Sequence, residues 1–194
     1  MAIMPDISER AILLRGSRLG LAVQIPDDLP AFARWNQSLE FTALLGTPGE
    51  FHTLEDRRKF FERNGRFNPD GMEFAIVRLE DGALIGFGGL FDISRALTAS
   101  MFVAIGDPAL WGRGHGTEAS RLICEYGFFF RSLHSIKVEV NGYNARAARV
   151  YERIGFKHAG RLRGALLLNG VRHDQIIMDL LRDELTPQYA AFPV

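Results

Sequence analysis

Apolar and polar positions alternate in short runs along this chain, and turn residues separate the runs into strands and amphipathic helices. Leu19 to Ile25 reads as a strand closed by Pro26-Asp27-Asp28. Asp27 or Asp28 is placed to cap a helix that begins near Leu29 and carries Phe32, Trp35 and Leu39. After the loop Gly46-Thr47-Pro48-Gly49, Thr53 to Phe61 reads as a second helix with Thr53 as its cap. Phe74 to Leu79 and Ala83 to Phe91 are strands around the turn Glu80-Asp81-Gly82, and Ser100 to Gly106 continues the series. A helix from Thr117 to about Arg131 has Ala119, Leu122, Ile123, Tyr126 and Phe130 on one face. Ile136 to Val140 is a strand. Asn144 opens a helix that holds Ala147, Ala148, Tyr151 and Ile154, and Gly155 ends it in a left-handed cap. Two last strands, about Ala159 to Leu168 and Arg172 to Leu181, meet at Asn169-Gly170, a strong hairpin signal.

This order predicts an α/β fold of the mixed, α+β kind, with a central, mostly antiparallel sheet, and excludes a doubly wound nucleotide-binding fold. The domain is expected over 18–185, with a leader over 1–17 and a tail over 186–194. With 194 residues, of which 47% are hydrophobic, the chain can build one core. Its 23 basic and 23 acidic residues cancel, which argues against a nucleic-acid partner. The single cysteine, Cys124, cannot form an internal disulfide and reads as a small buried hydrophobe in a reducing compartment. Met1 to Arg15 lacks a signal-peptide pattern, and no apolar run reaches the roughly 18 residues that span a bilayer. A cytoplasmic location without membrane contact is expected. Histidines 52, 115, 134, 158 and 173 show no metal-ligand spacing, so no metal is expected.

The chemistry is concentrated in Trp111-Gly112-Arg113-Gly114-His115-Gly116-Thr117-Glu118-Ala119. Closely spaced glycines leave backbone N–H groups open, and the following helix adds its first-turn N–H groups and the positive end of its dipole. That combination suits a phosphate or pyrophosphate. No Lys follows the last glycine, so the ATP/GTP loop is excluded, and the G-x-G-x-G spacing is wrong for a dinucleotide fingerprint. Taken alone, the loop could also be a plain strand-to-helix turn.

Downstream, Asn144-Ala145-Arg146-Ala147-Ala148-Arg149-Val150-Tyr151-Glu152-Arg153-Ile154-Gly155-Phe156 completes a pattern. Together with the glycine loop it resembles the GNAT superfamily of acyl-CoA-dependent N-acetyltransferases, over about residues 18 to 182. Within that superfamily, Asp107 to Ala119 and the hairpin Leu168 to Asp174 are most similar to the ribosomal-protein N-terminal acetyltransferase branch and its relatives, which include polyamine acetyltransferases. Trp111 stands where the broad family has Gln or Arg, as it often does in this branch.

The resemblance implies a GNAT-like single domain with helices on both faces of the sheet, acetyl-CoA as cosubstrate, and direct attack by a primary amine in a ternary complex. It implies that Trp111 and Gly112 belong to the cofactor site and that Arg113, Gly114, His115, Gly116 and Thr117 hold the pyrophosphate, mainly by backbone N–H groups, with Arg113 either adding a charge-assisted contact or standing as an exposed surface arginine. It makes Ala104-Ile105-Gly106 the backbone partner of the pantetheine arm, which would behave as an added strand. Asn144 would contact that arm as well as cap its helix. Tyr151 would protonate the departing thiolate, a role that suits a phenol of pKa about 10; the alternative is a core aromatic. The general base is unassigned. Ser100 could orient a water, and Glu73 and Asp92 stand at strand ends as either cleft carboxylates or turn residues. Trp35, Glu40 and Phe41 fall where the family binds the acceptor. That acceptor is a protein N-terminus, a polyamine or another amine, the polyamine ranking lower for want of an acidic cluster. A non-catalytic acyl-CoA-binding sensor or scaffold is the alternative function, and a homodimer is left open.

Overall fold

The computed structural model describes residues 10–64 and 70–189. Eight strands form one sheet: β1 (Ile12–Arg15), β2 (Leu19–Ala22), β3 (Met72–Arg78), β4 (Leu84–Phe91), β5 (Thr98–Ile105), β6 (Ser135–Asn141), β7 (Lys157–Leu168) and β8 (Val171–Leu181), in the order β1-β2-β3-β4-β5-β6-β8-β7. Neighbours are antiparallel except β5 and β6, which are parallel. The mixed, mostly antiparallel sheet is the one expected from the order of elements.

Among the described residues five helices cover it: α1 (Leu29–Trp35), α2 (Leu39–Leu45), α3 (Leu54–Asn64), α4 (His115–Glu125) and α5 (Ala145–Ile154). Side chains of a strand alternate between faces. Phe74, Ile76, Leu90, Met101, Ile136, Val138 and Met178 therefore meet α4 and α5 in the main core. Phe87 and Ala104 point the other way and pack with Phe32, Trp35 and Phe41 of α1 and α2. Cys124 is fully buried, as a small hydrophobe would be.

Several local readings are revised. Part of the expected leader is β1, which pairs with β2; four residues with one polar end carry too weak a pattern to be read. Residues 1–9 of that leader, and 190–194 of the expected tail, lie outside the described residues. Gln188 and Tyr189 of the tail are tied back through their N–H groups to the buried Glu125 carboxylate, at 2.9 and 2.7 Å. The first predicted helix breaks into α1 and α2 because Ser38 caps the second, its Oγ accepting from Phe41 N at 3.3 Å. Asp28 does not cap α1: its carboxylate accepts from Ile25 N and from Arg10. Thr53 does cap α3, accepting from Asp56 N, while Asp56 accepts from Thr53 N. After α4 the backbone widens into a π-type turn, Tyr126–Phe130. There Gly127 sits so close to β6 that a Cβ would meet Ile136 Cδ1 at 2.9 Å.

Candidate active site

The site begins with a defect in the sheet. Only Thr98, Ala99 and Ser100 of β5 pair with β6; beyond Ser100 the strands part, β5 held by β4 alone and β6 by β8. In an antiparallel ladder, successive residues turn their N–H and C=O to opposite sides. Gly106 N donates to Ile85 O at 2.9 Å, so Ala104 and Phe102 also face β4. Val103 and Ile105 then face away from β4, into the gap. Trp111 Nε1 donates to Ile105 O at 2.7 Å from that side.

The gap is a cleft of about 380 Å³. Val103, Ala104 and Ile105 form one wall, and Ala147, Val150 and Tyr151 of α5 the other. Phe41, Leu44 and Leu45 of α2 also line it, and the glycine loop and α4 contribute Trp111, Gly112, Gly114, Gly116, Thr117 and Ser120.

Glycine is required in this loop by geometry. Gly112 and Gly114 have φ of 74° and 86°, and Gly114 is the residue from which α4 starts. Built onto Gly112 or Gly116, a Cβ meets nothing within 4 Å. The first intrahelical bond is Glu118 N to Gly114 O, so the N–H groups of residues 115–117 are left without helical acceptors. The loop is braced from outside. Glu118 accepts from Arg18 N at 2.7 Å and Leu19 N at 3.1 Å, and Arg18 Nη1 donates to Arg113 O at 3.1 Å. Along α5, Arg146, Arg149 and Arg153 bring three more guanidinium groups to the cleft. The Arg146 guanidinium lies 4.3 Å from the Trp111 ring centroid. Sequence reading missed this row, although the 146-149-153 spacing was the available signal.

Of the expected site residues, Ala104, Ile105, Trp111, Gly112, Gly114, Gly116, Thr117, Asn144 and Tyr151 line the cleft; Ser100, Gly106, Arg113 and His115 do not. Ser100 lies where β5 is still paired, 4% exposed, its Oγ without a partner among the described residues. Gly106 is a close-approach position, but what approaches is the Trp35 indole, 1.9 Å from where a Cβ would stand. Arg113 is exposed on the outer side of the loop. The His115 ring is buried, and burial together with Arg18 pushes its pKa down, toward the neutral form.

Tyr151 is 8% exposed, with its ring 5.4 Å from Phe156. Burial raises its pKa far above the ordinary phenol value, so the hydroxyl stays protonated. Asn144 spends both ends of its amide within the protein. Oδ1 caps α5 by accepting from Ala147 N at 3.1 Å, and Nδ2 donates to Leu44 O at 3.4 Å. Asn141 Nδ2 and Tyr143 Oη also donate to the last carbonyls of α2, at 3.1 Å to Leu44 O and 2.6 Å to Ala43 O. This clasp holds Phe41 and Leu44 over the cleft. Replacing Asn144 with Ala removes the cap and one of the three clasp bonds, and stability should fall by about 1–2 kcal/mol in urea unfolding. Asn144→Asp keeps the cap acceptor and should recover most of that loss.

Of the residues expected on the acceptor side, Trp35 is core, Glu40 is exposed and Phe41 is buried at the cleft. Asp92 is exposed with φ of 53°, directly after the end of β4. Glu73 is partly buried and faces Arg57 of α3 at 3.7 Å. Burial raises its pKa, opposed by the Arg57 charge and then by Gln24. Among the described residues no group of three or more His, Cys, Asp or Glu could hold a metal, and no helix is long and apolar enough to cross a membrane.

Residues 18–157 match the acetyltransferase (GNAT) domain family. The probable N-acetyltransferase YjcK of Bacillus subtilis is 33% identical over 138 residues, 70% of this chain and 76% of that protein. The spermidine N(1)-acetyltransferase of Escherichia coli K12 is 27% identical over 109 residues, 56% of this chain and 59% of that enzyme. Among solved structures, the spermidine N-acetyltransferase of Vibrio cholerae in complex with CoA and spermine superposes with a TM-score of 0.80 at 22% identity, over 87% of this chain and 98% of that one. A GNAT-family acetyltransferase of Bacillus anthracis gives 0.76 at 20% identity, over 88% and 99%.

Proposed function

This chain belongs to the acetyltransferase (GNAT) family and is an N-acetyltransferase with acetyl-CoA as cosubstrate; from that premise we propose how its cleft moves the acetyl group to a primary amine. The observation that carries the reading is the parting of β5 from β6 directly beside an open glycine loop. The residues fit the cosubstrate. The open N–H groups at 115–117 and the room above Gly112 and Gly116 suit the pyrophosphate. Arg146, Arg149 and Arg153 neutralise its phosphates. Trp111 pins the loop to the end of β5 through its bond to Ile105 O. Val103 and Ile105 offer strand edges to the pantetheine arm, taking the place of the β6 ladder. Asn144 reaches that arm only where its bond to Leu44 is shared or given up. Arg113 and His115 contribute main-chain N–H groups, not side chains.

Acetyl-CoA supplies the activated acyl carbonyl and a thiolate leaving group. An N–H on the gap side of β5 polarises that carbonyl, and Tyr151 delivers its phenol proton to the departing sulfur. The apolar walls that raise the tyrosine pKa also raise that of a thiol held beside it, which keeps the two basicities matched. Ser100, at the closed end of the gap, takes no direct part. The cleft aligns amine and thioester and so supplies much of the rate by proximity. The polyamine-acetylating relatives and the ribosomal-protein N-terminal branch leave the acceptor open between a polyamine and an α-amine.

Thiol release from acetyl-CoA across a panel of amines tests the reading; binding without release on any amine would instead favour a sensor. Gly116→Leu tests the loop. Because the space above Gly116 is open and Leu is a better helix former, the fold should persist with an unchanged Tm. Acetyl-CoA affinity should drop about ten-fold or more by calorimetry, equivalent to roughly 1.4 kcal/mol. Unaltered affinity would place the pyrophosphate elsewhere.

A further inference from the structure

Two cavities meet at the glycine loop. Gly114 and Thr117 line both the β5–β6 cleft and a second, more open hollow of about 470 Å³. The other walls of the hollow are the β1–β2 turn, the flank of α4, the last turn of α5 and the segment 185–189 that follows β8. That segment is fixed as a strap across α4. The fully buried Glu125 carboxylate accepts from Gln188 N and Tyr189 N, and Arg121 Nη2 donates to Thr186 O at 2.6 Å. At the far end Tyr189 Oη meets Ser17 Oγ of the β1–β2 turn at 3.3 Å. Tyr189 is thus held at its backbone and at its hydroxyl, as a partly buried aromatic wall of the hollow.

The cationic groups here are unequally spent. Arg18 Nε donates to Glu118 Oε2 at 3.1 Å, and Arg121 Nε donates to Glu125 Oε1 at 3.2 Å. Arg153, on the last turn of α5, lines both cavities and makes no hydrogen bond or ion pair among the described residues. One unopposed guanidinium beside a fixed aromatic suits a ring system that carries an anion. A diphosphate seated on the N–H groups of residues 115–117 has two ester ends. One runs into the cleft. The other leaves from the same loop with this hollow before it, and the hollow has the volume of a small-molecule site.

We propose that the hollow between strap and loop is a nucleoside subsite, in which Tyr189 walls the base and Arg153 pairs with a phosphomonoester on the ribose, so that the chain selects its acyl carrier by that extra phosphate. This rests on the acetyl-CoA reading of the cleft. A phosphomonoester carries about −1.5 to −2 charge at pH 7, and a guanidinium fork matches its oxygens. Arg18 and Arg121 stay with their carboxylates and shape the walls. The ties of the strap to α4 set the aromatic wall in place before the ligand arrives, which lowers the ordering cost of binding.

Calorimetry on the full chain tests this with three probes: CoA, dephospho-CoA, which lacks only the ribose phosphate, and phosphopantetheine, which ends at the loop. CoA should bind at least about ten-fold tighter than dephospho-CoA at low salt, and the ratio should fall in about 0.5 M salt. Arg153→Gln should cut that ratio below about three-fold, and Arg153→Lys should restore part of it, whatever either costs both ligands through the diphosphate. Tyr189→Ala should weaken CoA and dephospho-CoA alike, by about five-fold or more, and leave phosphopantetheine unchanged. Equal weakening of all three probes would mean a loosened fold and counts against the subsite. Equal affinity of the wild type for CoA and dephospho-CoA overturns the subsite while acetyl transfer stands. Binding of none of the three overturns the reading of the cleft as well.

Discussion

Replacing Tyr151 with Phe should lower kcat by about 10²-fold or more while the Kd for acetyl-CoA stays within a factor of two. The direction follows from where the side chain sits. The ring packs against Phe156 and lines the wall of the cleft, so Phe keeps the apolar surface that shapes the site. The hydroxyl makes no hydrogen bond within the described protein, so its removal strands no partner. The stability change should stay under about 1 kcal/mol. A lost rate in a protein that folds and binds normally isolates the proton donor. The pH dependence adds a second check. Because burial lifts the phenol pKa well above its usual value, the wild-type rate should not decline between pH 9 and about 10, where an exposed tyrosine starts to ionise. Stopped-flow turnover for both forms, with equilibrium dialysis for binding, measures these quantities. An undiminished rate in Tyr151→Phe removes the tyrosine from the chemistry.

A single methyl group at Gly106 should be among the most disruptive changes in the molecule. Its Cβ would stand 1.9 to 2.5 Å from three atoms of the Trp35 indole. That indole is 8% exposed and lies parallel to Phe87, with centroids 6.3 Å apart. Neither the strand end nor the ring has room to give, because Gly106 N is bonded to Ile85 O and Trp35 closes the α1 side of the second core cluster. Overpacking of this kind costs about 1–3 kcal/mol, and the depth of the overlap puts Gly106→Ala at or beyond the upper end. Trp35→Leu creates a cavity and is itself destabilising, by about 2–4 kcal/mol. In the double variant the methyl fills part of that cavity. The two penalties should therefore fall short of their sum by more than about 1 kcal/mol in urea denaturation. Additive penalties would mean that Trp35 moves aside at no cost.

The sequence was most readable where one signal dominated. Asn169-Gly170 marked the β7–β8 turn, with φ of 51° and 77°, and Asn144 and Gly155 marked the two ends of α5. It was least readable where tertiary contacts set the outcome. Nothing in Phe32 to Leu39 announces that Ser38 restarts the helix, because the apolar spacing runs on across the break. The role of Gly106 was half legible. A close approach could be read from the residue type, but the approaching group, Trp35, lies 71 positions earlier. The pairing of Arg57 with Glu73 has no signature in sequence, since it joins side chains of α3 and β3 that only the tertiary fold brings together. The tight turn of the glycine loop was legible because positive φ at Gly112 and Gly114 is local backbone geometry. The arginine row of α5 was not, because only the fold turns that helix face toward the loop.

The short contact between β5 and β6 has a mechanical consequence. Two sub-sheets, β1–β5 and β6–β8, share a seam of three residue pairs, reinforced by α4 packing on α5. Such a seam lets the two sides behave as separate cooperative units, with amide exchange faster along it than in either interior. In the binding mode proposed above, a cosubstrate lying in the gap would restore the missing ladder and rivet one unit to the other. At a hundred times its Kd it would add about 2.7 kcal/mol to the folded state. Protection should then rise together on both banks of the seam, so that substrate capture and mechanical closure of the enzyme are a single event.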